Sequence, residues 1–106
     1  MINKKILGLI GFAARSRKIS YGTDSVKLQL VKGNVKLLIL SEEASDRTKK
    51  YFSNLSEKYN IPKIIGGNNE ELSKAIGKSN KAVIGIQDKE LSNEIRKIND
   101  GGEIIG

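Results

Sequence analysis

Apolar positions recur along the chain in two rhythms, one helical and one short and continuous, and these predict its elements. Over Asn3–Ala14, Ile6, Leu9, Ile10 and Ala13 fall on one stripe of a helix. Lys18–Tyr21 reads as a short extended piece. Gly22–Lys32 then reads as a helix with Thr23 as its N-cap and Gly33 just past its end. Val35–Leu40 is apolar except for Lys36, the pattern of a strand covered on both faces. Ser45 is placed to cap a helix in which Thr48, Phe52, Leu55 and Tyr59 follow helical spacing. Pro62 opens a strand over Lys63–Ile65, where its missing donor is tolerated. Asn68 with Glu71 three positions on has the form of a capping box, for a helix that stops at Gly77. Ala82–Ile86 is the last strand. Asp88 then caps a helix with Leu91, Ile95 and Ile98 inward, and residues 99–106 read as a frayed tail around Gly101–Gly102.

Strands separated by helices of this length imply crossover connections, with helices on both faces of a sheet. The predicted architecture is α/β: a three-layer α/β/α sandwich with a mixed sheet of about four strands. At 106 residues the chain, residues 1–106, fits one domain with a real core. It contains no internal repeat, low-complexity stretch or linker.

Charge changes this picture. The net charge is +7, and residues 1–36 hold eight basic side chains against Asp24 alone, which accounts for all of it. From residue 37 onward acids and bases balance. A concentrated positive field attracts polyanions and releases counterions when phosphates dock. A solvated basic surface is the plainer explanation of the same excess; among small basic domains the patch points first to nucleic acid. No apolar run reaches the length of a membrane span, and no membrane partner is expected. Met1–Ala14 begins like a signal peptide, but Arg15, Arg17 and Lys18 stand where small neutral residues should mark cleavage. A mature helix and a cytoplasmic location are therefore expected.

The chemical inventory argues against catalysis. The sequence has no histidine and no cysteine, so the commonest general base, the soft metal ligands and the thiol nucleophile are all missing. Neither a metal nor a cofactor is expected. The pairs Glu42–Glu43 and Glu70–Glu71 are sequence neighbours whose side chains diverge in a helix, and they read as helix-start acids. Gly77-Lys78-Ser79 resembles the end of a phosphate-binding loop, but Leu72 occupies the position of its first glycine. It also closes a helix rather than opening one, so it reads as a C-cap. Aromatics are few, and Phe52 and Tyr59 lie on an inward stripe, so single-strand binding by base stacking is disfavoured. What remains is Tyr21-Gly22-Thr23-Asp24-Ser25, a glycine-led turn into a helix whose free N–H groups could meet an anion. Arg15, Arg17, Lys18 and Lys36 are its candidate flanking cations; a well-capped helix with no ligand is the competing explanation.

Leu7-Gly8-Leu9-Ile10-Gly11-Phe12-Ala13-Ala14-Arg15, Gly22-Thr23, Lys32-Gly33-Asn34-Val35-Lys36-Leu37, Leu40 to Ser45, Asn60-Ile61-Pro62 and Glu71 to Lys78 together resemble one family. It is the kink-turn RNA-binding superfamily of archaeal and eukaryotic ribosomal proteins, and the likeness is closer to its small bacterial YlxQ-type members. It spans Lys4 to Ile98. The resemblance implies an α/β/α sandwich whose RNA face has three pieces: the start of the second helix, the turn after the next strand, and the loop before the final strand. By position these fall at Gly22, Thr23, Asp24, Ser25 and Leu28, at Lys36 and Glu43, and at Gly77 through Val83, including Lys78, Lys81, Ala82 and Val83. In the family an Asn-Glu pair and a lysine read tandem sheared G·A pairs. Here Asp24 stands for the asparagine, Ser25 for the glutamate and Leu28 for the lysine, while glycine, threonine and the phosphate-facing Lys36 are kept.

The expectation is a non-catalytic protein that binds ribosomal or another structured, kink-turn-like RNA. Lys18, Lys32 and Lys36 are expected to position phosphates while Gly22–Ser25 present backbone donors. The alternative is a protein–protein interaction domain that kept the scaffold and lost the RNA code. A monomer is expected.

Overall fold

A computed structural model describes residues 2–101. Helix α1 (Lys4–Arg15) starts at Asn3, whose side chain accepts from the Lys5 N–H at 2.7 Å. It ends where Arg17, at φ 59°, turns the chain into β1 (Ile19–Tyr21). Then follow α2 (Thr23–Val31), β2 (Leu37–Leu40), α3 (Asp46–Lys58), β3 (Lys63–Ile65), α4 (Asn69–Ala75), β4 (Val83–Ile86) and α5 (Lys89–Asn99). The caps expected at Ser45, Asn68 and Asp88 are present, and Asn68 and Glu71 close a reciprocal capping box. Asn99 is the last residue of α5 and Asp100 its C-cap; the rest of the expected tail, 102–106, lies outside the described residues.

The sheet is mixed, with strand order β1-β4-β2-β3. Strand β4 is antiparallel to both β1 and β2, and only β2 and β3 run parallel, joined through α3. Crossovers are thus fewer than the alternation of elements implied. The alternating side chains of β2 explain its continuous apolar run. Leu37 and Ile39 pack with Ile6, Ile10, Leu72 and Ile95 under α1, α4 and α5, while Leu38 and Leu40 pack with Val26, Leu30 and Phe52 under α2 and α3. Two cores on opposite faces make three layers. In β4, Gly85 is a packing requirement, because a Cβ there would lie 2.9 Å from Ser20 Oγ and 3.0 Å from a Val35 methyl.

Three local expectations differ from the structure, the first being Ala82, which precedes β4 rather than opening it. Val35 and Lys36 precede β2 rather than belong to it, although Val35 is fully buried and the Lys36 N–H donates to Ile86. Thr23 is the first helical residue of α2 and not its cap. Gly22 takes that place at φ 86°, without a side-chain hydrogen bond, because leaving β1 for α2 requires a backbone angle that favours glycine.

Candidate nucleic-acid interface

Strand register decides which residues can share a site. The Gly22 N–H donates to the Val83 carbonyl at 2.9 Å and the Ser41 N–H to the Ala82 carbonyl at 2.8 Å. The exit of β1, the exit of β2 and the entry of β4 therefore meet at one end of the sheet. A groove there is lined by Gly22 and Thr23, by Glu43, Ala44, Ser45 and Thr48, by Asn69, and by Asn80, Lys81, Ala82 and Val83. Four short pieces of chain far apart in sequence thus form one concave surface.

Its walls are tied together before any ligand arrives. The Glu43 carboxylate accepts from the Asn69 backbone N–H at 2.8 Å, and Ser41 Oγ accepts from the Glu43 N–H at 3.0 Å. Ser73 Oγ accepts from the Lys81 N–H at 2.7 Å and donates to the Lys81 carbonyl, clamping the loop before β4 onto α4. That loop leaves α4 at Gly77, φ 70°, where the Gly77 and Lys78 N–H groups return to Lys74 and Ser73. This is the C-cap expected for Gly77-Lys78-Ser79. The ammonium groups of Lys78 and Lys81 lie 5.3 and 5.7 Å from the Tyr21 ring centroid, beside Gly22.

The first turn of α2 opens onto this end. The Gly22 N–H is spent on Val83, so the unpartnered donors are those of Thr23, Asp24 and Ser25. Asp24, Ser25 and Leu28 are all exposed; Leu28 and Val31 expose 52% and 49% of their surface on a helix whose inner side holds Val26 and Leu30. Lys27 instead leans over Tyr51 of α3 at 5.7 Å, and its hydrogen bond with Tyr51 holds the ammonium pKa above its ordinary value.

Several predicted residues are elsewhere. Lys18 and Lys36 precede β1 and β2, and the Gln87 N–H donates to the Lys18 carbonyl as the Lys36 N–H does to Ile86. Both therefore stand at the opposite end of the sheet from the groove. Arg17 adjoins Lys18, and Lys32 caps the far end of α2. Lys36 Nζ donates to the Gly33 carbonyl at 3.1 Å, and Lys18 pairs with Asp88 at 3.1 Å. Arg15 lines a depression with Gly11, Lys74 and Gly77 and does not line the groove.

The sequence reading missed Asn69 and Ser73, while Asn80 falls inside the Gly77–Val83 piece it named. Asn69 lines the groove, and its Oδ1 is buried without a hydrogen-bond partner. Asn80 sits at φ 53°, in the left-handed region that asparagine tolerates, and the polar run Lys78 to Lys81 was the available signal for a tight loop.

A family profile described as the ribosomal protein L7Ae/L30e/S12e/Gadd45 family matches residues 4–96. A protein of Bacillus subtilis (strain 168) named RNA-binding protein YlxQ is 29% identical over 92 residues, 87% of this chain and 92% of the relative. Among solved structures, a protein of unknown function from Bacillus halodurans C superposes with TM-score 0.89 at 37% identity, over 92% of this chain and 99% of the other. The Giardia lamblia 15.5kD RNA binding protein superposes with TM-score 0.77 at 21% identity, over 100% of this chain and 94% of the other.

Proposed function

The chain belongs to the ribosomal protein L7Ae/L30e/S12e/Gadd45 family, and from that premise we propose that it is a non-catalytic, cytoplasmic protein that binds structured RNA in the groove at the exit of β1 and β2. The observation that carries the reading is the convergence of three segments. Gly22–Thr23, Glu43 and Lys81–Val83, a part of each of the three pieces the family resemblance names, line one groove, whereas Lys36 stands at the other end of the sheet. Thr23, Asp24 and Ser25 offer backbone donors there. Lys78 and Lys81 supply the cations for the phosphate backbone, the contacts that position RNA without reading its sequence. Ribosomal RNA fits such a surface, and so does any folded RNA with an internal loop. Asp24, Ser25 and Leu28 replace the groups that read sheared G·A pairs, so binding to a standard kink-turn is weak and poorly selective.

A second reading, a protein–protein interaction domain, is favoured by the apolar pair Leu28 and Val31 exposed on α2. One titration separates the two. The wild type and a Lys78→Gln/Lys81→Gln variant are compared on an internal-loop RNA and on a plain duplex of equal length. The RNA reading expects the double variant to lose affinity and to lower the salt slope by about 1.5, at roughly 0.7–0.9 per phosphate contact. Equal losses from Lys58→Gln/Lys63→Gln, or no RNA binding by the wild type at low salt, would replace it with the interaction-domain reading.

A further inference from the structure

The family groove does not use most of the charge that distinguishes this chain. Of the eight cations in residues 1–36, Arg17, Lys18, Lys32 and Lys36 gather at the other end of the sheet. Helix α2 alone, ten residue steps from Gly22 to Lys32, puts about 15 Å between them at 1.5 Å rise per residue. That exceeds the Debye length of about 8 Å at physiological salt, so these side chains contribute little to a phosphate held in the groove. We propose that this far end is a second RNA-backbone site, and that the protein holds two RNA segments at once, one at each end of its sheet. The proposal rests on the RNA-binding reading above and adds a second contact to it.

Three features give the patch its character. Asp88 neutralises Lys18 and no other cation there: among the described residues Arg17, Lys32 and Lys36 have no ion-pair partner. Arg17 is held in the left-handed region at φ 59°, with its N–H on Ala14 and the Lys18 N–H on Ala13, so the turn is stapled with a cation at its tip. A non-glycine residue there costs on the order of 1–2 kcal/mol, which a neutral glycine would avoid. Beside Lys36 lies a cluster of amides. Gln29 Oε1 accepts from Asn34 Nδ2 at 2.8 Å and from Gln87 Nε2 at 3.3 Å, which joins α2, the turn after it and the exit of β4. Each amide bears two donors and an acceptor, so Asn34 and Gln87 keep capacity for ribose and base edges. A rim of unpaired cations around spare amides fits a phosphate-sugar backbone.

The test is a two-RNA capture. An internal-loop RNA hairpin is immobilised and loaded with the full chain, and a labelled plain RNA duplex is then added in solution. The wild type should retain the duplex. The variant Arg17→Asn/Lys32→Gln/Lys36→Gln should still load on the hairpin within about twofold. Its capture of the duplex should be weaker by on the order of a hundredfold at physiological salt, the loss of three phosphate contacts. Asparagine tolerates the left-handed turn, and an unchanged melting curve shows that the variant folds. The proposal is overturned if the wild type loads on the hairpin but captures no duplex. It is also overturned if the triple variant captures duplex as well as the wild type, which is what bridging by a protein dimer through two grooves would give. If the wild type does not load on the hairpin at all, the groove reading itself fails, and this one with it.

Discussion

The Glu43 carboxylate accepts a hydrogen bond from the Asn69 backbone N–H at 2.8 Å, joining the turn after β2 to the first residue of α4, 26 positions along the chain. The carboxylate also faces the positive end of that helix, so it fixes the width of the groove and favours α4 together. Glu43→Ala should lower stability by about 1 kcal/mol, within the range for a hydrogen bond to a charged group near a helix start. It should also narrow the difference in affinity between an internal-loop RNA and a plain duplex, since one wall is released and an anion removed. Urea unfolding and paired RNA titrations measure the two effects. Unchanged stability would mean the contact does not persist in solution.

The outward residues of α2 predict a gain of function. Asp24 can accept hydrogen bonds but not donate one, Ser25 is short, and Leu28 presents an apolar side chain in place of a cation. Asp24→Asn/Ser25→Glu/Leu28→Lys should raise affinity and selectivity for a kink-turn, each restored polar contact to a base contributing about 1–3 kcal/mol. A wild type that already binds the kink-turn tightly, with no gain in the variant, would break the residue correspondence.

Gly85 and Ser20 face each other across β4 and β1, and both predict stability effects. Gly85→Ala brings a methyl against Ser20 Oγ and the stiff Val35 side chain, and overpacking of this kind costs about 1–3 kcal/mol. Ser20 Oγ is buried without a hydrogen-bond partner, so Ser20→Ala should cost little or stabilise the fold. The penalty of Gly85→Ala should be smaller in the Ser20→Ala background. A double-mutant cycle by chemical denaturation reads that coupling, and strict additivity would contradict the packing.

Asp88 predicts an acid limb in the stability profile. The Leu91 backbone N–H at the start of α5, and then the Lys18 ammonium, hold its carboxyl pKa below the ordinary value. A carboxyl whose folded pKa is depressed stabilises the fold above its unfolded pKa. That contribution is lost as pH falls through the folded value. Denaturation midpoints measured from neutral pH into the acid range should therefore drop less steeply in Asp88→Asn, which retains a capping side chain but no titrating charge. An acid limb as steep as that of the wild type would exclude Asp88 as a source.

Much of the fold was legible because it rests on local chemistry. The stripe of α1, the caps at Ser45, Asn68 and Asp88, and the two-faced burial of β2 follow from helical period, side-chain capping and strand alternation, each within a few residues. The cap of α2 was misplaced by one residue because the threonine hydroxyl is an evident capping acceptor in sequence, whereas the path out of β1 demanded a positive φ at Gly22.

The site was legible only in part. Lys18 stands close in sequence to the Tyr21–Ser25 turn and reads as one of its flanking cations, yet an extended strand carries the chain from one end of the sheet to the other, separating Lys18 from Gly22. Conversely Lys81 and Val83 reach Gly22 only because β1 pairs with β4, a pairing of distant segments that no local pattern encodes. The sequence by itself determined the elements, the apolar faces they bury and the excess of positive charge. Only the tertiary structure decided how that charge divides between two ends, because the position of a side chain on a sheet depends on which strands pair and in what register.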